Sequence, residues 1–213
     1  MTKIIIGTKT PLYGNRGIEK NDLSKIANHL STNETAILND DSIQEIKVSE
    51  IKIRSGVNIG SIQFVYKVVR NGEPHIIEGH KFGGNAGKES LIKLKNDEHL
   101  IRIEGFYGDH PWWGNIDVLK FWTYDKSNGK VVFRGEYGGW KSYEFKIFSE
   151  RLIYPFVCFF GKCSGNSLSG LGMYEGNISL FAEKTENHSK KKTNDNQHQA
   201  QIEVLPPPYN YKK

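Results

Sequence analysis

Few residues in this chain have the type and spacing to do chemistry, and most of those are glycines. A glycine turn recurs three times, as Tyr13-Gly14-Asn15-Arg16-Gly17, Phe82-Gly83-Gly84-Asn85-Ala86-Gly87 and Tyr137-Gly138-Gly139-Trp140-Lys141-Ser142. Where glycine stands, the backbone can approach a ligand closely and present its N–H groups. None of the turns carries the Gly-Lys-Ser/Thr ending of a phosphate loop, and all lie between strand-like runs, so nucleotide binding is not expected. His75, His80, His99 and His110 show no ligand spacing, and no metal site is expected. Cys158 and Cys163 have four residues between them, the wrong interval for a redox pair or a zinc site. They read as reduced thiols. No nucleophile–base constellation is present, so the chain is read as a non-enzyme without cofactors.

Those turns need elements to hold them. From Glu50 to Leu180 apolar and polar residues alternate in short runs, such as Ile51-Lys52-Ile53, Ile62-Gln63-Phe64-Val65-Tyr66 and Leu119-Lys120-Phe121. That is the period of half-buried strands, and glycine punctuates them throughout. The preceding region is mixed. Lys3 to Gly7 reads as a short strand, and Leu23, Ile26 and Leu30 lie on one face of a helix capped by Asn21 or Asp22. Leu30 to Asp41 reads as a polar loop.

Internal repetition points to the architecture. Three segments beginning Gly56-Val57-Asn58-Ile59, Gly114-Asn115-Ile116-Asp117 and Gly165-Asn166-Ser167-Leu168 share one apolar frame. Ile59, Ile116 and Leu168 correspond, as do Ile62, Leu119 and Leu171, and Phe64, Phe121 and Met173. Interleaved with the glycine turns, they make three copies of a four-stranded unit. One copy alone cannot bury both faces, so the three are expected to close around a shared core.

Bulk properties agree. The chain has 213 residues, 37% of them apolar, enough for one well-filled domain, and 22 glycines suit a turn-rich β architecture. No apolar run reaches the roughly eighteen residues of a membrane span. The N-terminal apolar run is too short for a signal peptide, so a cytoplasmic location, or secretion by a non-classical route, is expected. The formal net charge is +5, and four lysines crowd Lys184 to Lys192 in a polar tail expected to be disordered. Such a tail can attract phosphates or acidic membranes without recognising a specific nucleic acid. It ends in Pro206-Pro207-Pro208-Tyr209, where Pro206, Pro207 and Tyr209 match the PPxY pattern read by WW domains.

The order of motifs resembles the jacalin-related lectins. The glycine loop from Pro11 to Gly17, the strand Ile59 to Tyr66, the segment Glu98 to Gly108 and the closing stretch Gly161 to Tyr174 follow the family's succession. The resemblance implies an all-β fold, a β-prism of three Greek-key four-stranded sheets with pseudo-three-fold symmetry. To it are added a short helical insertion at about 23–48 and the tail at 183–213, with the domain covering 1–182. It also implies non-catalytic binding of mannose- or galactose-type glycans or glycoproteins at loops on one end. A homo-oligomer is compatible with it.

In such a site a carboxylate accepts from two sugar hydroxyls while loop N–H groups donate to others. By resemblance the first pocket comprises Gly14, Gly17, Asn166, Ser167, Leu168 and Ser169, with Ser169 standing where the family has aspartate. A second would use Asn58, Gly84 and Gly87, but Gly60 replaces its acid. A third would use Trp113, Asp117 and Gly139. There Asp117 and Trp113 form an acceptor and a stacking platform, or else a tryptophan packs inside and Asp117 faces solvent. A charged hydrogen bond contributes about 1.5–3 kcal/mol, so a weakened or altered sugar site is expected. Two functions stay open: a carbohydrate-binding lectin, and an interaction module on the same prism that has lost sugar binding.

Overall fold

A computed structural model describes residues 6–14, 17–108, 114–139, 143–148 and 155–177. Among the described residues, thirteen strands and two helices run in the order β1 (Ile6–Lys9), β2 (Ile18–Asn21), α1 (Asp22–His29), α2 (Glu34–Asn39), β3 (Ile43–Ser55), β4 (Ile59–Arg70), β5 (Glu73–Glu78), β6 (Phe82–Gly83), β7 (Lys88–Lys93), β8 (Glu98–Tyr107), β9 (Ile116–Asp125), β10 (Lys130–Gly138), β11 (Tyr143–Phe148), β12 (Phe156–Ser164) and β13 (Ser167–Gly176). They form three antiparallel sheets, ordered β5-β4-β3-β7, β10-β9-β8-β11 and β1-β13-β12-β2.

The order within each sheet follows one rule. In the first two sheets three strands joined in succession are followed by a fourth that returns beside the first, the Greek-key arrangement. The third sheet keeps that spatial order, with β13 and β1 adjacent but not joined in succession. In the last sheet the chain supplies β12 and β13 from its C-terminal part and β1 and β2 from its N-terminal part. The prism therefore closes only when both ends of the domain have met. The outer strand of each unit is broken to a different degree. It is continuous but bulged in β10, split into β5 and β6 against β4, and reduced to β1 plus a bridge at Tyr13–Leu171 in the last sheet. One sheet thus has a fifth short strand where four were expected.

The inner faces carry the aligned apolar frame. Ile59, Ile62, Phe64, Ile116, Leu119, Phe121, Leu168, Leu171 and Met173 are all fully buried in one core. Phe64 of β4 stacks on Phe159 of β12, ring centroids 3.5 Å apart and planes 4° from parallel. This contact ties two sheets across the prism axis.

The inserted helices plug one side of this core. Leu23, Ile26, Ala27 and Leu30 are buried at helical spacing, and Asn21 caps α1 by accepting from the Leu23 N–H at 2.9 Å. The segment expected to be a polar loop instead forms α2. Asn33 caps it, accepting from the Ala36 N–H at 2.7 Å, and Ile37 reaches the core. A single apolar anchor was too weak a periodic signal to show a six-residue helix. Residues 43–48 join β3 rather than the insertion, with Ile43, Ile46 and Val48 buried. The first strand runs on to Lys9; its expected start lies outside the described residues.

Asp22 fixes α1 to the prism. Its carboxyl is fully buried and accepts from the Tyr66 hydroxyl and, at 2.6 Å, from the His80 N–H. Burial pushes it up to about 7, against the opposing pull of Tyr66, His80 and Lys25.

Candidate functional site

Three glycines make the ends of the three sheets equivalent. Gly14, Gly83 and Gly138 take φ of +87°, +103° and +91°. A Cβ on each would overlap a carbonyl oxygen, that of Ser169, Gly60 and Asp117 respectively. Positive φ and contact with a backbone oxygen both demand glycine. The residues carrying those oxygens are the three that the repeat alignment placed at one position. Each glycine turn is therefore seated on its matching loop, and all three pairs lie at one end of the prism.

The first pair joins the Gly14 turn to β13. Tyr13 and Leu171 exchange main-chain hydrogen bonds of 3.0 and 2.8 Å, which hold the turn against β13. Gly17 lies over the Cys163 carbonyl. Gly14 and Gly17 thus meet the hairpin that carries Asn166, Ser167, Leu168 and Ser169, at the Ser169 and Cys163 carbonyls. Ser169 is fully buried beneath Gly14, and Leu168 belongs to the core. Asn166 is exposed and Ser167 half-buried, so they form the open rim.

The second pair is closed by its own loop. A Cβ on Gly60 would overlap the Ala86 carbonyl oxygen, so the loop occupies the place of an acceptor side chain. Gly87, at φ +89°, rests on Ser55, and the Gly56 N–H donates to the Asn58 carbonyl at 3.0 Å. Arg54 donates to the Asn85 carbonyl at 3.0 Å and pairs with Glu89 at 2.6 Å, pinning the loop from outside. Gly84 bridges this pair and the first; its N–H donates to the Gly60 carbonyl at 3.0 Å and to the Asn166 carbonyl at 3.2 Å.

In the third pair Asp117 does not face solvent. It is 8% exposed, at the start of β9 under Gly138, and the solvent-facing reading is corrected accordingly. Gly139 donates to the Val57 carbonyl at 3.1 Å, so this turn leans on the neighbouring repeat. Trp113, the expected stacking partner, and Pro206, Pro207 and Tyr209 of the tail lie outside the described residues.

No grouping of three or more histidine, cysteine or acidic side chains suited to a metal occurs among the described residues. His99, half a repeat away at the far end of β8, is held down to about 3 by burial, with Lys47 and Lys126 adding to the effect. Among the described residues, the chemistry available at the first turn is hydrogen bonding from backbone groups and the neutral side chains Asn166 and Ser167. Sequence reasoning missed the burial of Ser169, the filling of the second pocket by Ala86 and the contact from Gly84 to Asn166. None of these leaves a local sequence signal, because each depends on how separate loops settle on one another.

A three-fold β-prism with equivalent glycine turns at one end defines the class. The profile of the jacalin-like lectin domain matches residues 32–174, well over half of the chain, and the chain belongs to that family. It is 31% identical over 96 residues to Jacalin-related lectin 40 of Arabidopsis thaliana, an alignment covering 44% of this chain and 20% of that protein. The chain spans a fifth of that relative's length. Among solved structures, a mannose-binding lectin from Champedak superposes with TM-score 0.56 at 21% identity, over 79% of this chain and 95% of that one. A mannose-binding jacalin-related lectin from Ananas comosus gives 0.55 at 24%, over 79% and 96%. Malaysian banana lectin gives 0.54 at 20%, also over 79% and 96%. At these identities the likeness is one of fold.

Proposed function

We propose that this domain is a non-catalytic carbohydrate-binding lectin whose first site, at the Gly14 turn and the β12–β13 hairpin, binds mannose-type glycans weakly. The observation that carries this reading is the seating of the Gly14 turn on Ser169, which places the open rim of Asn166 and Ser167 beside it. Support comes from family membership and from the mannose-binding lectins that share the fold. Weakness follows from the acceptor. Ser169 is a neutral hydroxyl, and it is buried, so sugar hydroxyls meet the rim and loop N–H groups without a carboxylate.

Titration of wild type, Ser169→Asp and Asp117→Asn against mannose- and galactose-containing oligosaccharides tests the proposal. Ser169→Asp supplies a carboxylate at the acceptor position, and affinity is expected to rise about tenfold as a neutral hydrogen bond becomes charge-assisted. Asp117→Asn should leave binding unchanged, because Asp117 lies under a different turn. Loss of binding in Asp117→Asn would move the activity to the third site. Absence of binding by wild type, even on a multivalent display, would leave the interaction module as the function.

A further inference from the structure

Gly84 belongs by sequence to the second glycine turn, yet its contacts lead to the first site. Its N–H is shared between the Gly60 carbonyl, 3.0 Å away in its own repeat, and the Asn166 carbonyl, 3.2 Å away in another. The approach is close enough to exclude any side chain. A Cβ on Gly84 would stand 2.7 Å from the Asn166 Cα and 2.8 Å from both its Cβ and its Oδ1. Asn166 sits at the tip of the β12–β13 hairpin, where Ser164 pairs with Ser167 across the two residues Gly165 and Asn166. Ser164, Gly165 and Asn166 are all exposed. The ladder and Gly17, which packs against Cys163 and Ser164, hold the base of the hairpin, and Gly84 meets it at Asn166 itself.

We infer that Gly84 is a positioning residue of the first site and not a member of a second one. The inference rests on the proposed lectin function of the first site. The second turn has no room for a sugar acceptor, since the Ala86 carbonyl fills the place beside Gly60. What it offers instead is a rigid shelf. Gly83 is seated on Gly60, Arg54 grips Asn85, and Gly84 passes that rigidity to the tip carrying Asn166 and Ser167. A rim pre-set in its binding conformation loses less entropy when a sugar docks.

The test is Gly84→Ala in the full chain. The methyl group must displace Asn166, so backbone amide resonances of Gly165 to Leu168 should shift as much as those flanking residue 84. Affinity for a mannotriose probe should fall roughly tenfold, with the melting temperature little changed. A structural defect alone would not depend on the Asn166 side chain. Asn166→Gly removes two of the three close contacts, so adding Gly84→Ala to Asn166→Gly should cost several-fold less affinity than adding it to wild type. Amide shifts confined to residues 60–61 and 83–87, or strictly additive losses, would overturn the inference. If wild type binds no sugar, the proposed function fails, and the amide shifts alone still decide whether Gly84 braces the hairpin.

Discussion

At the residue scale two of the buried groups with displaced ionisation, Asp22 and His99, make opposite demands on pH. The Asp22 carboxyl is raised to about 7 in the folded chain from an ordinary value of 3.8. Between those values the folded state holds a proton that the unfolded state has released, so stability falls as pH rises through that window. His99 is lowered to about 3 from 6.5, so its contribution is complete above 6.5 and is lost as pH falls toward 3. Asp22→Asn removes the first effect and leaves the second. In urea unfolding, the stability of the variant relative to wild type should swing in its favour as pH rises from 4 to 7 and level off above that. The swing is at most about 1.4 kcal/mol per pH unit. A difference independent of pH would show that Asp22 is ionised at every pH tested. Neither group could be picked out of the sequence: Asp22 was legible as a capping candidate and His99 as one of several scattered histidines. Their burial is a tertiary fact.

At the element scale the insertion shows how a local signal and a packing partner combine. The spacing of Leu23, Ile26 and Leu30 revealed α1, because three buried residues on one face leave a period in the sequence. The residue that starts the helix does two jobs. Asn21 accepts from the Leu23 N–H, and its amide donates to the Tyr174 hydroxyl of β13 at 3.0 Å. Asn21→Ala should therefore cost about 1–2 kcal/mol in equilibrium unfolding, the upper part of the range for a lost N-cap. A serine there would restore the cap but not the reach to Tyr174, and should recover only part of the loss. Full recovery by serine would make the Tyr174 contact unimportant. Helix α2 was read as loop because only Ile37 marks its inner face among the described side chains, and its cap, Asn33, also suits a turn.

At the scale of the whole molecule, stability depends on three sheets meeting along one axis. Phe64 and Phe159 come from different sheets and lie face to face, so truncating either opens a cavity that no single sheet can close. Phe159→Ala should destabilise the fold by about 3–5 kcal/mol, read from denaturant unfolding. One cooperative transition is expected, since β1 and β2 join β12 and β13 only after the rest of the chain is made. Two separate transitions would show the sheets to be independent. The surface end follows the same logic. The Gly139–Val57 and Gly84–Asn166 hydrogen bonds each link the turn of one repeat to the hairpin of another, so the third turn leans on the second repeat and the second turn on the third sheet's hairpin.

The alternation of apolar residues and the three-fold recurrence of one frame determined the fold class. A strand that buries one face must carry that pattern, and three incomplete units must share a core. Position by position, the frame Ile59, Ile116 and Leu168 was legible, and so was the pairing of Gly14, Gly83 and Gly138 with Ser169, Gly60 and Asp117. Whether those pairs leave room for a ligand was decided only by the tertiary structure. Ser169 has the same hydroxyl in any sequence reading, but in the folded chain the residue is fully buried, with Gly14 packed on its carbonyl; Gly60 is vacant in sequence, but the Ala86 carbonyl fills its place. Openness at a site is set by contacts between loops distant in sequence and smaller than a side chain, and no periodicity records them.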